Sequence, residues 1–463
     1  MVFGSHPRQA GALGLGPLGA VGRLLGEKAL GIALRAFSKG GGPWQDGAMA
    51  PSLVFLGAGN RGMAYAHHAH ALGARIAGVA DPRPERLQAF REAFPVERTF
   101  ADWREVLEAP LLGEAAVIAL PDRFHAEAAV ALMEKGYHLL LEKPIAPTWA
   151  EVERVAQAKE RAGRLVAVAH VLRYTPYARA LKALLREGAV GEVVSVQHLE
   201  PVGHWHYAHS FVRGNWRKEE ESSPFLLAKS VHDLDWLLFV MPGEVNRVAS
   251  FGGLFHFRPE NRPNKAASRC LECPEEVERN CPFSARRIYL EAYEKGERGW
   301  PLDVVAYPVT WENLVMALAE GPYGECVYLG KNDVADHQVV MLEYRDGRTA
   351  SLHVEGLSRM RFRETRVFGT RGELFGDGRY LRLYRFGEGE RVFDLETERE
   401  GSIRSGHGGG DLGLVRAFLE ALTREDESLV EPFSEAVQAH RLTFLAEEAR
   451  REGRVVQVDN PLP

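Results

Sequence analysis

The chain predicts an α/β protein: an N-terminal doubly wound parallel sheet, then an α/β domain whose sheet is open and mostly antiparallel. Three observations predict it. From Pro51 to about Pro144, short apolar runs alternate with helix-like segments, the pattern of parallel strands covered on both faces. The first run, Leu53-Val54-Phe55-Leu56, leads straight into Gly57-Ala58-Gly59-Asn60-Arg61-Gly62. After Arg173 the texture changes to strands that alternate polar with apolar residues or join through short glycine turns such as Asp346-Gly347.

In the first half, strands are expected over Leu53–Leu56, Ile76–Ala80, Ala116–Leu120, Tyr137–Leu141 and Leu165–Ala169. Helices are expected from near Met63, over Arg83–Ala93 and His125–Lys135, and over the charged amphipathic stretch Glu151–Ala162. In the second half, strands are expected from Val193 to His198 and over Arg247–Phe251, Gln338–Tyr344, Thr349–Glu355, Glu364–Phe368 and Tyr380–Arg385. Leu412–Leu422 and Ser434–Glu452 read as closing helices. The expected domains are residues 51–173 and 174–463, the second carrying a cysteine-containing insertion at about 259–303.

A length of 463 residues is too great for one hydrophobic core. With 45% hydrophobic and 26% charged residues, the composition is that of a globular protein. A net charge of −6 gives no basic footprint for nucleic acid, and no apolar stretch is long enough to span a bilayer. The cysteines are spaced as for a metal, not a disulfide framework, which points to a reducing, cytoplasmic location. Residues 1–50 differ in texture from the rest: rich in Gly, Ala and Leu, with an amphipathic stretch from Leu18 to Phe37. They are expected to be an unstructured or spurious extension, with Met49 a candidate initiator.

The glycine run places a tight turn between a strand and a helix, where backbone N–H groups meet a pyrophosphate. Ile76–Ala80 then ends in Asp81, nineteen residues after Gly62, where a carboxylate accepts both hydroxyls of an adenosine ribose. Leu120-Pro121-Asp122-Arg123-Phe124-His125 and Glu142-Lys143-Pro144 each follow a strand at the carboxyl edge of the sheet, where open α/β sheets bind ligands.

This set of motifs resembles the Gfo/Idh/MocA oxidoreductase family, which includes glucose–fructose oxidoreductase and inositol dehydrogenase. The matching residues are Gly57, Gly59, Gly62, Asp81, the Pro121…His125 segment, Glu142-Lys143-Pro144, Arg173-Tyr174-Thr175-Pro176 and Phe368-Gly369-Thr370-Arg371-Gly372-Glu373-Leu374. The resemblance runs from about Pro51 to the C-terminus. It implies a Rossmann domain followed by an α/β domain whose open sheet covers the nicotinamide and supports a homo-oligomer. It also implies NAD as cofactor, with NADP disfavoured by Asp81, held by Gly57, Gly59, Asn60, Arg61, Gly62, Asp81, Pro121, His125, Glu142 and Lys143. Lys143 inherits a catalytic contact with the substrate hydroxyl. Independently of family, a cation beside a reacting alcohol favours the alkoxide as hydride leaves.

The family's second catalytic segment has an aspartate, a histidine four residues on and another aspartate three later. Here Leu227-Ala228-Lys229-Ser230-Val231-His232-Asp233-Leu234-Asp235 retains His232 and Asp235 but puts Ala228 at the first aspartate and adds Lys229. Imidazole titrates near neutral pH, so His232 is the expected general base; its alternative is to order substrate only. Lys229 either supports Lys143 or binds an acidic substrate. Arg173, Tyr174, Trp205, His209, Arg213, Trp216, Lys229 and Asp235 are the expected substrate contacts. The segment from His204 to Arg217 concentrates the aromatic, hydrogen-bonding and cationic side chains that suit a sugar or polyol; a metal on its histidines and a buried structural loop are the competing readings. His407-Gly408-Gly409-Gly410-Asp411 either touches substrate or caps a helix through Asp411.

Cys270, Cys273 and Cys281, with Cys326 further on, suit a structural zinc; free thiols are the alternative, and an iron–sulfur cluster lacks the tighter ferredoxin spacing. The leading function is an NAD-dependent dehydrogenase acting on a secondary alcohol. A glycoside hydrolase that retains NAD and works by oxidation and elimination stands second, and a non-enzymatic sensor of NAD and sugar third.

Overall fold

The computed structural model describes residues 50–395 and 408–458; the expectations for residues 1–49 and for His407 lie outside them. β1 (Ser52–Leu56) is buried along its whole length, as an unbroken apolar run must be when helices cover both faces of its sheet. With β2 (Arg75–Ala80), β3 (Arg98–Phe100), β4 (Ala115–Ile118), β5 (His138–Leu141) and β6 (Val166–Val168) it forms a six-stranded parallel sheet in the order β3-β2-β1-β4-β5-β6. The order reverses between β1 and β4, which opens a crevice at their carboxyl ends. β3 was not anticipated: it is a short edge strand whose residues are exposed or half-buried, so no apolar run marks it.

α1 (Asn60–Ala71) starts directly after Gly59 rather than near Met63, because Gly59 already takes the capping conformation and the Met63 N–H already bonds its carbonyl at 2.9 Å. α2 (Pro84–Ala93), α3 (His125–Lys135) and α4 (Trp149–Ala162) follow. Gly136 ends α3 and Gly163 ends α4, both at positive φ, while the Thr148 side chain caps the start of α4.

α5 (Pro176–Arg186) and α6 (Phe225–Val240) pack beneath a second sheet of nine strands. Its strands are β7 (Val193–Pro201), β8 (Val245–Gly253), β9 (His337–Tyr344), β10 (Thr349–Glu355), β11 (Glu364–Gly369), β12 (Gly372–Gly376), β13 (Tyr380–Arg385), β14 (Gly389–Asp394) and β15 (Val456–Gln457). They lie in the order β14-β13-β12-β11-β7-β10-β9-β8-β15, and every neighbouring pair is antiparallel except β7 with β10. The strands alternate, so one face is buried against the helices while Val194, Phe251 and Met341 stand exposed.

The segment between β8 and β9 is the insertion, and it runs past residue 303 to the start of β9. It is not a loop. It folds as short helical turns, including α7 (Leu302–Val305) and α8 (Trp311–Glu320), around its own small core of Ala285, Tyr289, Leu302, Leu314 and Leu318.

The last two helices return to the first sheet. α9 (Gly410–Arg424) places Leu414, Val415 and Phe418 in the same core as Leu53 and Phe55. α10 (Phe433–Glu452) packs on α4 and β6, with Ala436 and Val437 in the core on that face of the first sheet and Leu442 and Ala446 in the second core. A fully buried phenylalanine is the keystone of the α9 contact. Phe418→Ala is expected to destabilise the protein by about 3–5 kcal/mol in chemical denaturation; a loss below ~1 kcal/mol would show that α9 adds little to the first core.

Candidate active site

Two glycines in the first turn are sterically required. Gly57 has φ +99°, and a Cβ there would lie 2.4 Å from the Ala119 carbonyl oxygen. A Cβ on Gly62 would lie 1.9 Å from the carbonyl oxygen of Gly57. Backbone thus packs on backbone, and the N-terminus of α1, which begins after Gly59, opens onto the crevice between β1 and β4. Asp81 is buried at the end of β2. It accepts from the Ala58 N–H at 2.9 Å, the Arg83 N–H at 3.0 Å and the Arg83 guanidinium at 3.0 and 3.1 Å. Burial works against its charge, but the hydrogen bonds of Arg83 and Ala58 outweigh it and hold the carboxyl below the usual aspartate range.

Glu142 is a hub. Its Oε1 accepts from Arg61 Nε at 2.5 Å and Tyr65 Oη at 2.6 Å, and its Oε2 accepts from the Lys143 N–H at 3.0 Å. Arg61 also grips Asp411 of α9 at 2.7 Å, so one ion chain joins α1, the end of β5 and α9. The side chains of Arg61 and Glu142 are therefore taken up within the protein rather than offered to a dinucleotide, and Asp411, in the first turn of α9, serves Arg61 rather than capping its own helix. His125 is likewise a scaffold: its ring nitrogens lie 2.6 Å from the Pro144 carbonyl and 2.8 Å from that of Leu120, stapling the segment that opens at Pro121 to the Glu142-Lys143-Pro144 segment.

Lys143 projects from the strand end, across a cis bond to Pro144, and its Nζ donates to the Ala228 carbonyl at 2.5 Å. Burial lowers its pKa below the ordinary lysine value, against the pull of Glu142 and Asp122 and with the help of Lys229 and Arg61. His232 follows Ala228 by one turn of α6, is buried, and lies with its ring 5.7 Å from that of His170. Lys143 thus reaches the turn of α6 that leads to His232.

Three expected substrate contacts lie behind this point. Asp235 stands 2.8 Å from His170 Nδ1 and is gripped by two Arg173 nitrogens at 2.7 Å each, and Arg173 reaches Glu431 at 2.8 Å and Glu435 at 2.5 Å. Tyr174 is buried with its hydroxyl accepting from the Glu431 N–H. With side chains 1% and 2% exposed, Arg173 and Asp235 can orient His170 but not touch a substrate. Lys229 is also paired, with Glu200 Oε1 at 3.2 Å, and Glu200 meets Arg363 at 2.8 Å. His170 and His440 had no sequence signal. The His440 ring lies 5.7 Å from that of His170 and accepts from the Ile145 N–H at 2.8 Å, so a row of three buried imidazoles runs from His232 toward the Glu-Lys-Pro segment.

The segment around residues 204–217 divides. Trp205 and His206 face Trp300 of the insertion, at ring separations of 5.2 and 4.8 Å. Burial, then the charges of Lys229 and His209, and also Lys143, keep the His206 pKa well below the ordinary histidine value. The charges of both lysines thus reach His206, which the sequence offered as part of the 204–217 segment and as a candidate metal ligand. His209 is turned into the insertion core, with Nδ1 2.9 Å from Tyr289 Oη and its ring stacked on Tyr323; Arg213 is buried against Glu325, Phe283 and Cys270. Neither can bind substrate from there. Trp216 Nε1 donates to Asp122 Oδ2 at 3.2 Å and so steadies the Pro121 segment.

The insertion also reaches the glycine turn. Asn60 Nδ2 donates to Asp303 Oδ1 at 3.1 Å, Arg86 donates to the Asp303 carbonyl at 2.6 Å, and the Arg86 guanidinium lies over the Tyr307 ring at 4.4 Å. Residues 300–307 therefore run as a strap from Trp205 and His206 to the N-terminus of α1. The four cysteines are free and line one small cavity, and among the described residues no group of three or more His, Cys, Asp or Glu side chains is already disposed to hold a metal ion.

Comparison with known proteins gives a family. Residues 52–170 match the oxidoreductase family, NAD-binding Rossmann fold, and residues 182–458 match the C-terminal alpha/beta domain of the same family. An inositol 2-dehydrogenase of Streptomyces avermitilis is 35% identical over 142 residues, 30% of this chain and 41% of that protein. A 2,7-anhydro-N-acetylneuraminate hydratase of Mediterraneibacter gnavus is 27% identical over 189 residues, 39% of this chain and 46% of that protein. The chain thus spans about half the length, or less, of these curated relatives. Among solved structures, a levoglucosan dehydrogenase in complex with NADH and levoglucosan shares the fold with a TM-score of 0.63 and 19% identity, covering 89% of this chain and 100% of that one.

The Arg173–Asp235 pair makes a pH prediction. Burial opposes the Asp235 charge, but Arg173 and His170 bring its pKa to about 2, against 3.8 for an ordinary aspartate. A depressed carboxyl contributes stability that is complete above the unfolded pKa and lost as pH falls through the folded one. Roughly 2 kcal/mol should therefore disappear between about pH 4 and pH 2. Arg173→Met should cost about 3–5 kcal/mol at pH 7 and flatten that acid limb in denaturation curves.

Proposed function

Because this chain belongs to the Gfo/Idh/MocA oxidoreductase family, we propose that it is an NAD-dependent dehydrogenase acting on a secondary alcohol of a sugar, inositol or related polyol. The observation that carries the reading is the meeting of Lys143 with the Ala228–His232 turn of α6 at the carboxyl edge of the parallel sheet.

The residues fit a dinucleotide. Gly57 and Gly62 keep the turn low enough for a pyrophosphate to approach α1, and Asp81 presents a carboxylate at the end of β2 for the ribose hydroxyls. A 2′-phosphate would meet that carboxylate, and Arg83, the cation beside it, is held on Asp81 at 3.0 and 3.1 Å, which favours NAD over NADP while Arg83 stays there. When bound, NAD accepts the hydride. Lys143 holds a positive charge against the substrate oxygen and stabilises the alkoxide, and His232 takes the hydroxyl proton. Asp235, held by Arg173, orients His170 behind His232. Trp205, His206 and Trp300 wall the substrate side, where aromatic faces suit the C–H surfaces of a polyol.

One observation favours the NAD-retaining elimination chemistry as a second reading. The strap at residues 300–307 is anchored on Asn60 and Arg86, across the turn where a dinucleotide would enter and leave. Denaturing the purified protein and assaying the supernatant for NAD, beside a nitrophenyl glycoside assay, separates the two. Carried-over NAD with nitrophenol release and no net NADH selects elimination; NADH formation from a polyol selects the dehydrogenase. We also propose the outward face of the second sheet, with Val194, Phe251 and Met341, as the surface of self-association.

Lys143→Ala is expected to lower turnover by about 10²–10³-fold while NAD still binds in calorimetry; unchanged turnover removes the lysine from the mechanism. In the parent enzyme the lowered Lys143 pKa sets the alkaline limit. Its charge is lost as pH rises, so kcat/KM should begin to fall below the 10.5 of an ordinary lysine, and that limb should vanish in the variant. Asp303→Ala should speed the release of bound NAD several-fold in a dilution experiment, without changing the hydride step.

A further inference from the structure

The four cysteines take no part in the chemistry above. Cys270 and Cys273 stand at either side of a short 3-10 turn, Cys281 follows the Glu275–Glu278 helix, and Cys326 comes after Pro322–Gly324. These separate stretches bring all four thiols to the wall of a single cavity of about 20 Å³. About 10–15 Å³ admits one water-sized body. The cavity therefore suits one ion and not a multi-iron cluster.

A buried cation reaches one of the sulfurs. Arg213 Nη2 donates to Cys270 Sγ at 3.3 Å. The other terminal nitrogen of Arg213, Nη1, is buried with no hydrogen-bond partner. A guanidinium is costly to bury unless negative charge stands near it.

We propose that this cavity is a structural site for a single zinc-class cation, ligated by Cys270, Cys273, Cys281 and Cys326. Four thiolates around a divalent ion leave two negative charges in excess, and Arg213 is the buried cation that offsets part of them. The thiols line the cavity without yet being gathered on one point, so binding draws them inward by side-chain rotation as each gives up its proton. Four protein ligands leave no open position, so the ion does no chemistry of its own. Its effect is on the insertion, which carries Trp300 and Asp303 to the active site.

The test reads metal and thiols rather than turnover, so it stands whether or not the dehydrogenase assignment does. The full-length protein is expressed with zinc in the medium, purified without metal resin or chelator, and analysed by elemental mass spectrometry and thiol titration. One zinc per chain is expected, with thiols that react only after a chelator is added. Cobalt replacing the zinc should give thiolate-to-metal absorption, and Cys281→Ser or Cys326→Ser should lose the metal. The chelator and cobalt arms need no variant, so a variant that fails to fold leaves the test intact. Substoichiometric zinc with four reactive thiols, a disulfide found by mass spectrometry, or the visible absorption of an iron–sulfur cluster would each overturn the proposal.

Discussion

The structure of the site depends on one buried carboxylate. Glu142 sits at the end of β5, an inner strand of the parallel sheet, and is held by Arg61 and Tyr65 of α1 and by the N–H of Lys143. Removed from water, it needs those partners to remain charged, and Arg61 satisfies Asp411 of α9 at the same time. The position of Lys143, the angle of α1 behind the glycine turn and the docking of a helix from the far end of the chain are therefore one electrostatic problem with one solution. Displacing any member exposes the others to an uncompensated buried charge.

Much of this was legible in the sequence, and the reason is local geometry. Gly57 and Gly62 announce themselves because no side chain fits where they lie, and β1 because burial on both faces demands an unbroken apolar run. Lys143 and His232 stand out as candidate catalytic groups, and Lys143 reaches the Ala228 carbonyl one turn before His232. What the sequence hid are the long-range pairings. Arg61 and Glu142 read as cofactor contacts because their motifs sit at the right edge of the sheet, but nothing local reveals that Asp411 completes a buried pair with Arg61. Arg173 and Asp235 read as substrate groups for the same reason, although Glu431 and Glu435 enclose the arginine from α10 and the turn before it. Within the segment at residues 204–217, packing divides residues of similar chemistry: His206 against Trp300 of the strap, His209 on Tyr289 inside the insertion core.

The insertion changes what the two-domain architecture can do. The sequence marks it only as a cysteine-containing stretch and gives it no role at the site. Folded, it has its own core, and it extends an aromatic ring over the substrate side and a carboxylate onto the turn that opens α1. One short strap thus touches both ends of the crevice.

The single parallel seam in the second sheet has a consequence for how the protein comes to be folded. β7 and β10 join Ser195 to Thr349, with α6, β8, the whole insertion and β9 in the intervening chain. Closing so large a loop costs entropy before any contact repays it. The hairpins β9–β10, β11–β12 and β12–β13 can nucleate locally, whereas the middle of the sheet must wait for that distant zipper to shut. Assembly of this half is thus governed by its highest-contact-order step, and its exposed strand edges stay open to wrong partners until that step is complete.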